Sequence, residues 1–140
     1  ENEALPDVCD ESTGRTPLMF SVMNRTIDIS RNLLRYKASV DMPDFQCITP
    51  LMLAVANKDL KHCELLCSKL AEVDAQDENG WTPLHYAVLN NAPKCVIHLL
   101  KEGANRSLRD NNRRRPLDIA RWKNYGECIA ILSSNKGGLF

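Results

Sequence analysis

The chain has 140 residues, the length of one ordinary domain, and 44% of them are hydrophobic, enough to fill a core without metal or disulfide staples. Lysine plus arginine total 18 and aspartate plus glutamate total 18, a balance that argues against a general binder of nucleic acid or of acidic membranes. No stretch approaches the roughly 20 apolar residues that span a bilayer, and six cysteines without a secretory signal point to a reduced, intracellular setting, cytoplasmic or nuclear, rather than to a disulfide scaffold.

Residues 1–9 read as an N-terminal extension. Residues 1–12 carry five acids (Glu1, Glu3, Asp7, Asp10, Glu11) and no base. The chain opens on Glu1 rather than methionine, so a domain of a longer protein is expected, with targeting signals elsewhere. From there one pattern repeats. Thr16-Pro17-Leu18-Met19 returns as Thr49-Pro50-Leu51-Met52, Thr82-Pro83-Leu84-His85 and Arg115-Pro116-Leu117-Asp118, in steps of 33 residues. Further columns keep the same register: Leu33, Leu66, Leu99 and Leu132; the acids Glu11, Asp44, Asp77 and Asp110; and Ala38, Ala71 and Ala104. The units so defined run about 10–42, 43–75, 76–108 and 109–134, with a tail over 135–140.

Within each unit the predicted order is turn, helix, turn, helix. Threonine before proline marks a helix start, because its hydroxyl can accept from a free backbone N–H while proline gives up only a donor that has no partner there. The first helix shows an apolar edge at helical spacing, as in Leu51, Ala54 and Val55 or Leu84, Ala87 and Val88. A second follows with Val96, Leu99 and Leu100 as its clearest stripe. Between units, Asp77-Glu78-Asn79-Gly80 favours a tight projecting turn. One unit cannot bury its own apolar face, and stacking of at least three creates a continuous core.

The TPLH-type signature, the preceding D-x-x-G and the period together resemble the ankyrin repeat family across about residues 10–134. Residues 14–22 (GRTPLMFSV) are similar to the opening repeats of inversin, a likeness that assigns no subfamily. The resemblance implies an all-α solenoid of stacked helix-turn-helix units with projecting β-turns, curved so that proteins bind on the concave side formed by turn tips and first helices. It also implies that His85 hydrogen-bonds between neighbouring turns.

The chain departs from the family where glycine is usual. The turn column reads Gly14, Cys47, Gly80, Arg113 and the column after the first helix reads Arg25, Lys58, Asn91, Asn124. Arginine and lysine tolerate a left-handed backbone less well than asparagine, so the first two repeats are expected to be more strained and to open before the third. In the last unit Arg115 replaces the capping threonine, a loss of about 1 kcal/mol, partly offset by Asp118 at the positive end of the helix dipole.

No catalytic arrangement and no cofactor is expected. His62, Cys63 and Cys67 on one helix resemble a zinc half-site, but no second ligand pair accompanies them. The repeat register instead puts Cys63 with Val96 and Ile129, Cys67 with Leu34 and Leu100, and Cys95 and Cys128 with Ile29, all read as core columns. Cys95 and His98, one turn apart, lack an orienting third group.

Two features point to binding. Arg113-Arg114-Arg115 with Arg106, Arg109, Arg121 and Lys123 make residues 106–123 basic, seven bases against two acids. They are either a solvated turn, a clamp for an acidic segment, or an anionic-ligand site for nucleic acid or phosphoinositide; a lack of interleaved aromatics speaks against nucleic acid. The second is apolar residues at positions the core does not require: Ile48 and Trp81 before Thr-Pro, Leu89 and Trp122 closing first helices, and Phe45 with Gln46 on a turn, with Asn90 beside them. The family geometry places these on the concave groove, where aromatics flanked by amides and arginines compose a hot spot, although Trp81 can pack on its own turn and Trp122 can cover the open end of the last repeat. The leading expectation is therefore a monomeric protein-interaction scaffold gripping a partner segment through Phe45, Ile48, Trp81, Leu89 and Trp122, with Arg113, Arg114 and Lys123 selecting charge. Alanine at Trp81 plus Trp122 is expected to abolish capture and leave the melting temperature nearly unchanged. The anionic-ligand module and a regulatory or targeting segment of a larger enzyme or channel are the alternatives.

Overall fold

A computed structural model describes residues 6–134; the tail over 135–140 and the acids Glu1 and Glu3 lie outside the described residues. Eight helices follow in chain order: α1 (Pro17–Met23), α2 (Ile27–Arg35), α3 (Pro50–Ala56), α4 (Leu60–Ser68), α5 (Pro83–Leu89), α6 (Pro93–Lys101), α7 (Pro116–Lys123) and α8 (Gly126–Ser133), with no strand among the described residues. Each pairs with its neighbour as an antiparallel hairpin, and the hairpins stack so that α1, α3, α5 and α7 form one row and α2, α4, α6 and α8 the other. The fold is an all-α solenoid.

The local chemistry makes the starts and stops sharp. The hydroxyls of Thr16, Thr49 and Thr82 accept the N–H of Met19, Met52 and His85 at 3.2, 3.3 and 3.3 Å. At Arg115, which has no hydroxyl, only the reciprocal half of the cap remains: the Asp118 carboxylate accepts the Arg115 N–H at 2.9 Å, as His85 Nδ1 accepts that of Thr82, and the Asp118 N–H turns to the Arg115 carbonyl at 3.0 Å. First helices end in paired bonds, such as Arg25 N–H to Val22 and Thr26 N–H to Ser21, which need a left-handed residue. Arg25, Lys58, Asn91 and Asn124 supply it, with φ of 60°, 55°, 49° and 60°.

A further left-handed column, absent from the sequence reading, follows the second helices: Lys37, Leu70 and Gly103 at φ of 70°, 66° and 91°. The second repeat therefore meets all its left-handed positions with Cys47, Lys58 and Leu70, while the third uses Gly80, Asn91 and Gly103. Backbone strain is greatest in the second repeat; Gly14 relieves one position of the first, which keeps Arg25 and Lys37 left-handed, so both carry more than the third, where Asn91 alone is not glycine.

The core runs unbroken through the stack. Leu18, Leu51, Leu84 and Ile119 from the first helices and Leu66, Leu99 and Leu132 from the second are buried, and Leu33 packs against them. Each such side chain contributes roughly 1.5–3 kcal/mol on burial. Ile29 corrects the core assignment of its column. It is 53% exposed, whereas His62, Cys95 and Cys128 at the equivalent positions are buried, because that face of each second helix packs on the preceding repeat and α2 has none among the described residues.

Polar ladders join the units on both edges. Carboxylates of Asp7, Asp41 and Asp74 accept the N–H of Ser39, Glu72 and Asn105 in the next repeat at 3.0, 2.8 and 2.9 Å. The ladder thus begins inside the segment 1–9.

Candidate functional site

The projecting turns are built by aspartate. Asp44, Asp77 and Asp110 each hold two backbone N–H groups on one carboxylate oxygen: Gln46 and Ile48, Asn79 and Trp81, Asn112 and Arg114, all at 2.8–2.9 Å. In the first repeat Asp10, not Glu11, does this work, accepting from Thr13 N–H at 2.8 Å; Glu11 is exposed. That turn is one residue longer, its closing bond running from Asp10 to Arg15 where the next runs from Asp44 to Ile48. Successive turns are stitched by Phe45 N–H to Thr13, Glu78 N–H to Gln46 and Asn111 N–H to Asn79. The approach is close: a Cβ on Gly14 would lie 2.5 Å from the Phe45 ring, and one on Gly80 2.8 Å from the Asn111 nitrogen.

The second oxygens of Asp44 and Asp110 reach the residue before Thr-Pro of the preceding repeat, while that of Asp77 takes the Tyr86 hydroxyl. Arg15 of the first repeat pairs with Asp44 at 3.6 Å, an ion pair too long for a hydrogen bond. The Trp81 indole N–H of the third repeat donates to Asp110 at 3.1 Å, and Arg114 donates to the same oxygen. Trp81 also meets Tyr86 edge-on, centroids 5.6 Å apart, and the Tyr86 hydroxyl donates to Asp77. Burial raises the Asp110 carboxyl, but the N–H donors of Arg114 and Asn112 more than offset it and hold it below its ordinary value. His85 bridges the same repeats, as the resemblance implied: Nδ1 accepts the Thr82 N–H and Nε2 donates to the Arg114 carbonyl at 2.8 Å. Burial pushes its pKa down, with the Arg114 bond opposing.

The residues picked out by the sequence fall into three kinds. Trp81 and Arg114 are half-buried and joined through Asp110, and Ile48 occupies the equivalent place one turn earlier. Leu89 and Asn90 are half-buried at the end of α5, where the Asn90 amide donates to the Tyr86 carbonyl at 2.9 Å. Phe45 and Trp122 are the open ones, 65% and 74% exposed, with Gln46 and Arg113 exposed on turn tips and the Lys123 ammonium 5.2 Å from the Trp122 ring centre. Phe20 on α1, exposed and equivalent to Leu53 and Tyr86, extends the same helix face toward the first repeat. Its spacing of three from Met23 was the available signal.

Much of the arginine cluster is engaged internally. Arg106 donates to the carbonyls of Leu132 and Ser134, Arg109 to that of Arg113, Arg114 pairs with Asp110 and Arg115 with Asp118. Arg113, Arg121 and Lys123 form no ion pair among the described residues.

His62, read beside Cys63 and Cys67, is committed elsewhere. Its Nδ1 lies 2.7 Å from Asp59 and its Nε2 2.8 Å from the Ser30 hydroxyl, which lies 2.6 Å from that of Ser21. Burial raises Asp59, and bonds from the His62 ring and backbone outweigh it, so its pKa falls below the ordinary value. With Ser30 and His62 buried, the line resembles a nucleophile-base-acid set in composition yet serves as a polar rivet between the first two repeats. No helix among the described residues is long and apolar enough to cross a membrane.

A family model described as ankyrin repeats (3 copies) matches residues 2–77 and 51–138. No curated protein matches the chain.

Proposed function

The chain belongs to the ankyrin repeat family, whose repeats are protein-interaction modules, and from that premise we propose that the face made by its turn tips and first helices holds an extended or helical segment of a partner protein. Phe45, Ile48, Trp81, Leu89 and Trp122 are the apolar anchors, Gln46 and Asn90 supply amides, and Arg113, Arg114 and Lys123 select acidic neighbours. The observation that carries this reading is Trp122: a tryptophan left 74% exposed on a first helix, with a lysine over its ring and the equivalent Leu89 in the adjoining repeat, has the makings of a hot spot awaiting a pocket or side chain. An interface of about 800 Å² per partner is the usual scale.

The test is capture by Phe45→Ala/Trp122→Ala beside the wild type. Proteins retained by the wild type and lost by the variant, at equal melting temperature, support the face; identical captured sets discard it.

A further inference from the structure

The two ends of the stack are finished differently. In the last repeat a charge enters a core column: Arg121 is exposed where Val22, Val55 and Val88 are fully buried. A polar outer face of this kind is what keeps a terminal repeat soluble. The first repeat shows no such change. Ile29 is 53% exposed where His62, Cys95 and Cys128 are buried against the preceding repeat. Pro17 is half-buried where Pro50 and Pro116 are buried, and Leu33 is half-buried where Leu66 and Leu132 are buried. Because Pro116, Cys128 and Leu132 stay covered with no described repeat after them, these columns are covered from the preceding side. The outer side of α1 and α2 is therefore an interior-type surface left open.

The connection to a covering unit is present beside it. Asp7 accepts the Ser39 N–H at 3.0 Å, just as Asp41 and Asp74, each closing a unit, accept those of Glu72 and Asn105. In sequence, Ala4-Leu5-Pro6-Asp7 matches Ala38-Ser39-Val40-Asp41 and Ala71-Glu72-Val73-Asp74, displaced by the one residue inserted in the first turn. Asp7 is thus in the register of a unit's end, and its ladder bond is the one that joins each unit to the next.

We propose that the segment 6–9 closes a further ankyrin-type unit, and that the open side of α1 and α2 docks the helix pair of that unit, carried by the same polypeptide. The surface continues an interface that the fold already repeats between α1 and α3, α3 and α5, and α5 and α7, so it calls for the same occupant: two antiparallel helices with an aliphatic outgoing face. Roughly 25 residues ahead of Glu1 complete the turn and helices of such a unit. Opposite Ile29 the docked helix carries an aliphatic side chain, because isoleucine cannot satisfy a hydroxyl as His62 satisfies Ser30. A second copy stacked end to end fits less well, since its last repeat brings Arg121 where the interior repeats have valine.

The experiment uses Ile29→Cys, which gives the position the residue that Cys95 and Cys128 already supply in its column. Alkylation at residue 29 is timed in the 140-residue chain and in the chain extended by its native upstream residues, with the exposed Cys47 as internal reference. The thiol should react about as fast as Cys47 in the first and at least tenfold more slowly in the second, approaching Cys95 and Cys128. Where the extended variant folds poorly, amide exchange in the two unsubstituted chains reads the same cover, as slowing concentrated in α1 and α2. Equal alkylation or exchange in both chains overturns the proposal, as does a native polypeptide with no apolar helix pair ahead of Glu1. Protection that grows with the concentration of the 140-residue chain assigns the surface to a second copy and overturns it too.

Discussion

The indole N–H of Trp81 reaches across the repeat boundary to the Asp110 carboxylate at 3.1 Å, so the aromatic residue of one turn is a structural member of the next. This gives Trp81 two roles, and they can be separated. Trp81→Phe keeps the edge-on contact with Tyr86 and removes the bond, which should cost roughly 1–2 kcal/mol in a denaturant titration; an unchanged midpoint would mean that the bond contributes nothing. The melting temperature of a Trp81→Ala/Trp122→Ala double variant should accordingly fall, which makes Trp122 rather than Trp81 the cleaner probe of binding.

Leu70 combines two unfavourable features. It is 87% exposed and stands at φ of 66°, where the third repeat places Gly103. Leu70→Gly relieves about 1–2 kcal/mol of left-handed strain and gives back part of that by loosening the unfolded chain. The net expectation is a rise in melting temperature of a few degrees, read by calorimetry. A fall would show that Leu70 makes a contact worth more than its strain.

The Ser21, Ser30, His62 and Asp59 line holds the first repeat to the second by polar contacts where the later interfaces use thiols and aliphatic groups. His62→Ala removes the partner of the Ser30 hydroxyl across the repeat boundary and leaves it bonded to Ser21 alone, at a cost of roughly 1–3 kcal/mol. Amide exchange should then quicken in α1 and α2 while α5 and α6 keep their protection. Equal acceleration along the chain would count against a local rivet.

The repeat was legible because its signals are local: a threonine caps the helix three residues ahead, and leucines recur at one face, without knowledge of any neighbour. What lay across repeat boundaries was not. Periodicity shows that Ser30 and Cys63, or His62 and Cys95, are equivalent, yet the chemistry of an interface depends on which column faces which, and that is set by the stacking. The same limit hid the link from Trp81 to Asp110. The exchange of Asp10 for Glu11 had a readable cause, since four residues separate Asp10 from Gly14 but three separate Asp77 from Gly80. Alignment on Thr-Pro concealed that inserted residue. Ile29 was misread because a column average assumes a covering neighbour on both sides.

Acid should loosen the turns. Asp110, Asp59, Asp118 and Asp10 are all held below the ordinary carboxylate value of 3.8 in the folded chain. A depressed folded pKa means that the unfolded chain binds protons first, so this stabilisation is complete above the unfolded value and is lost as pH falls through the folded one. Unfolding free energy should therefore decline steadily on acidification below about pH 4–5. Asp110→Asn retains an oxygen for the Asn112 and Arg114 N–H groups and removes one titrating group. Its stability should start lower and fall less steeply, and parallel slopes would exclude Asp110 as a contributor.

Salt separates the two kinds of ligand that the basic end could take. Arg109, Arg114 and Arg115 are occupied with a backbone carbonyl or carboxylates of their own repeat and Arg106 with carbonyls of the next, which leaves Arg113, Arg121 and Lys123 as the exposed charges able to meet an incoming anion. If affinity for a captured protein segment comes chiefly from apolar anchors, raising salt from 50 to 200 mM should weaken it only a few-fold, whereas a site reading six or more phosphates loses about a thousandfold or more over that range. Binding measured by titration calorimetry at both concentrations distinguishes them. A steep fall would move the site from Trp122 to the arginines, and Arg113→Ala/Arg121→Ala would then remove more affinity than Trp122→Ala.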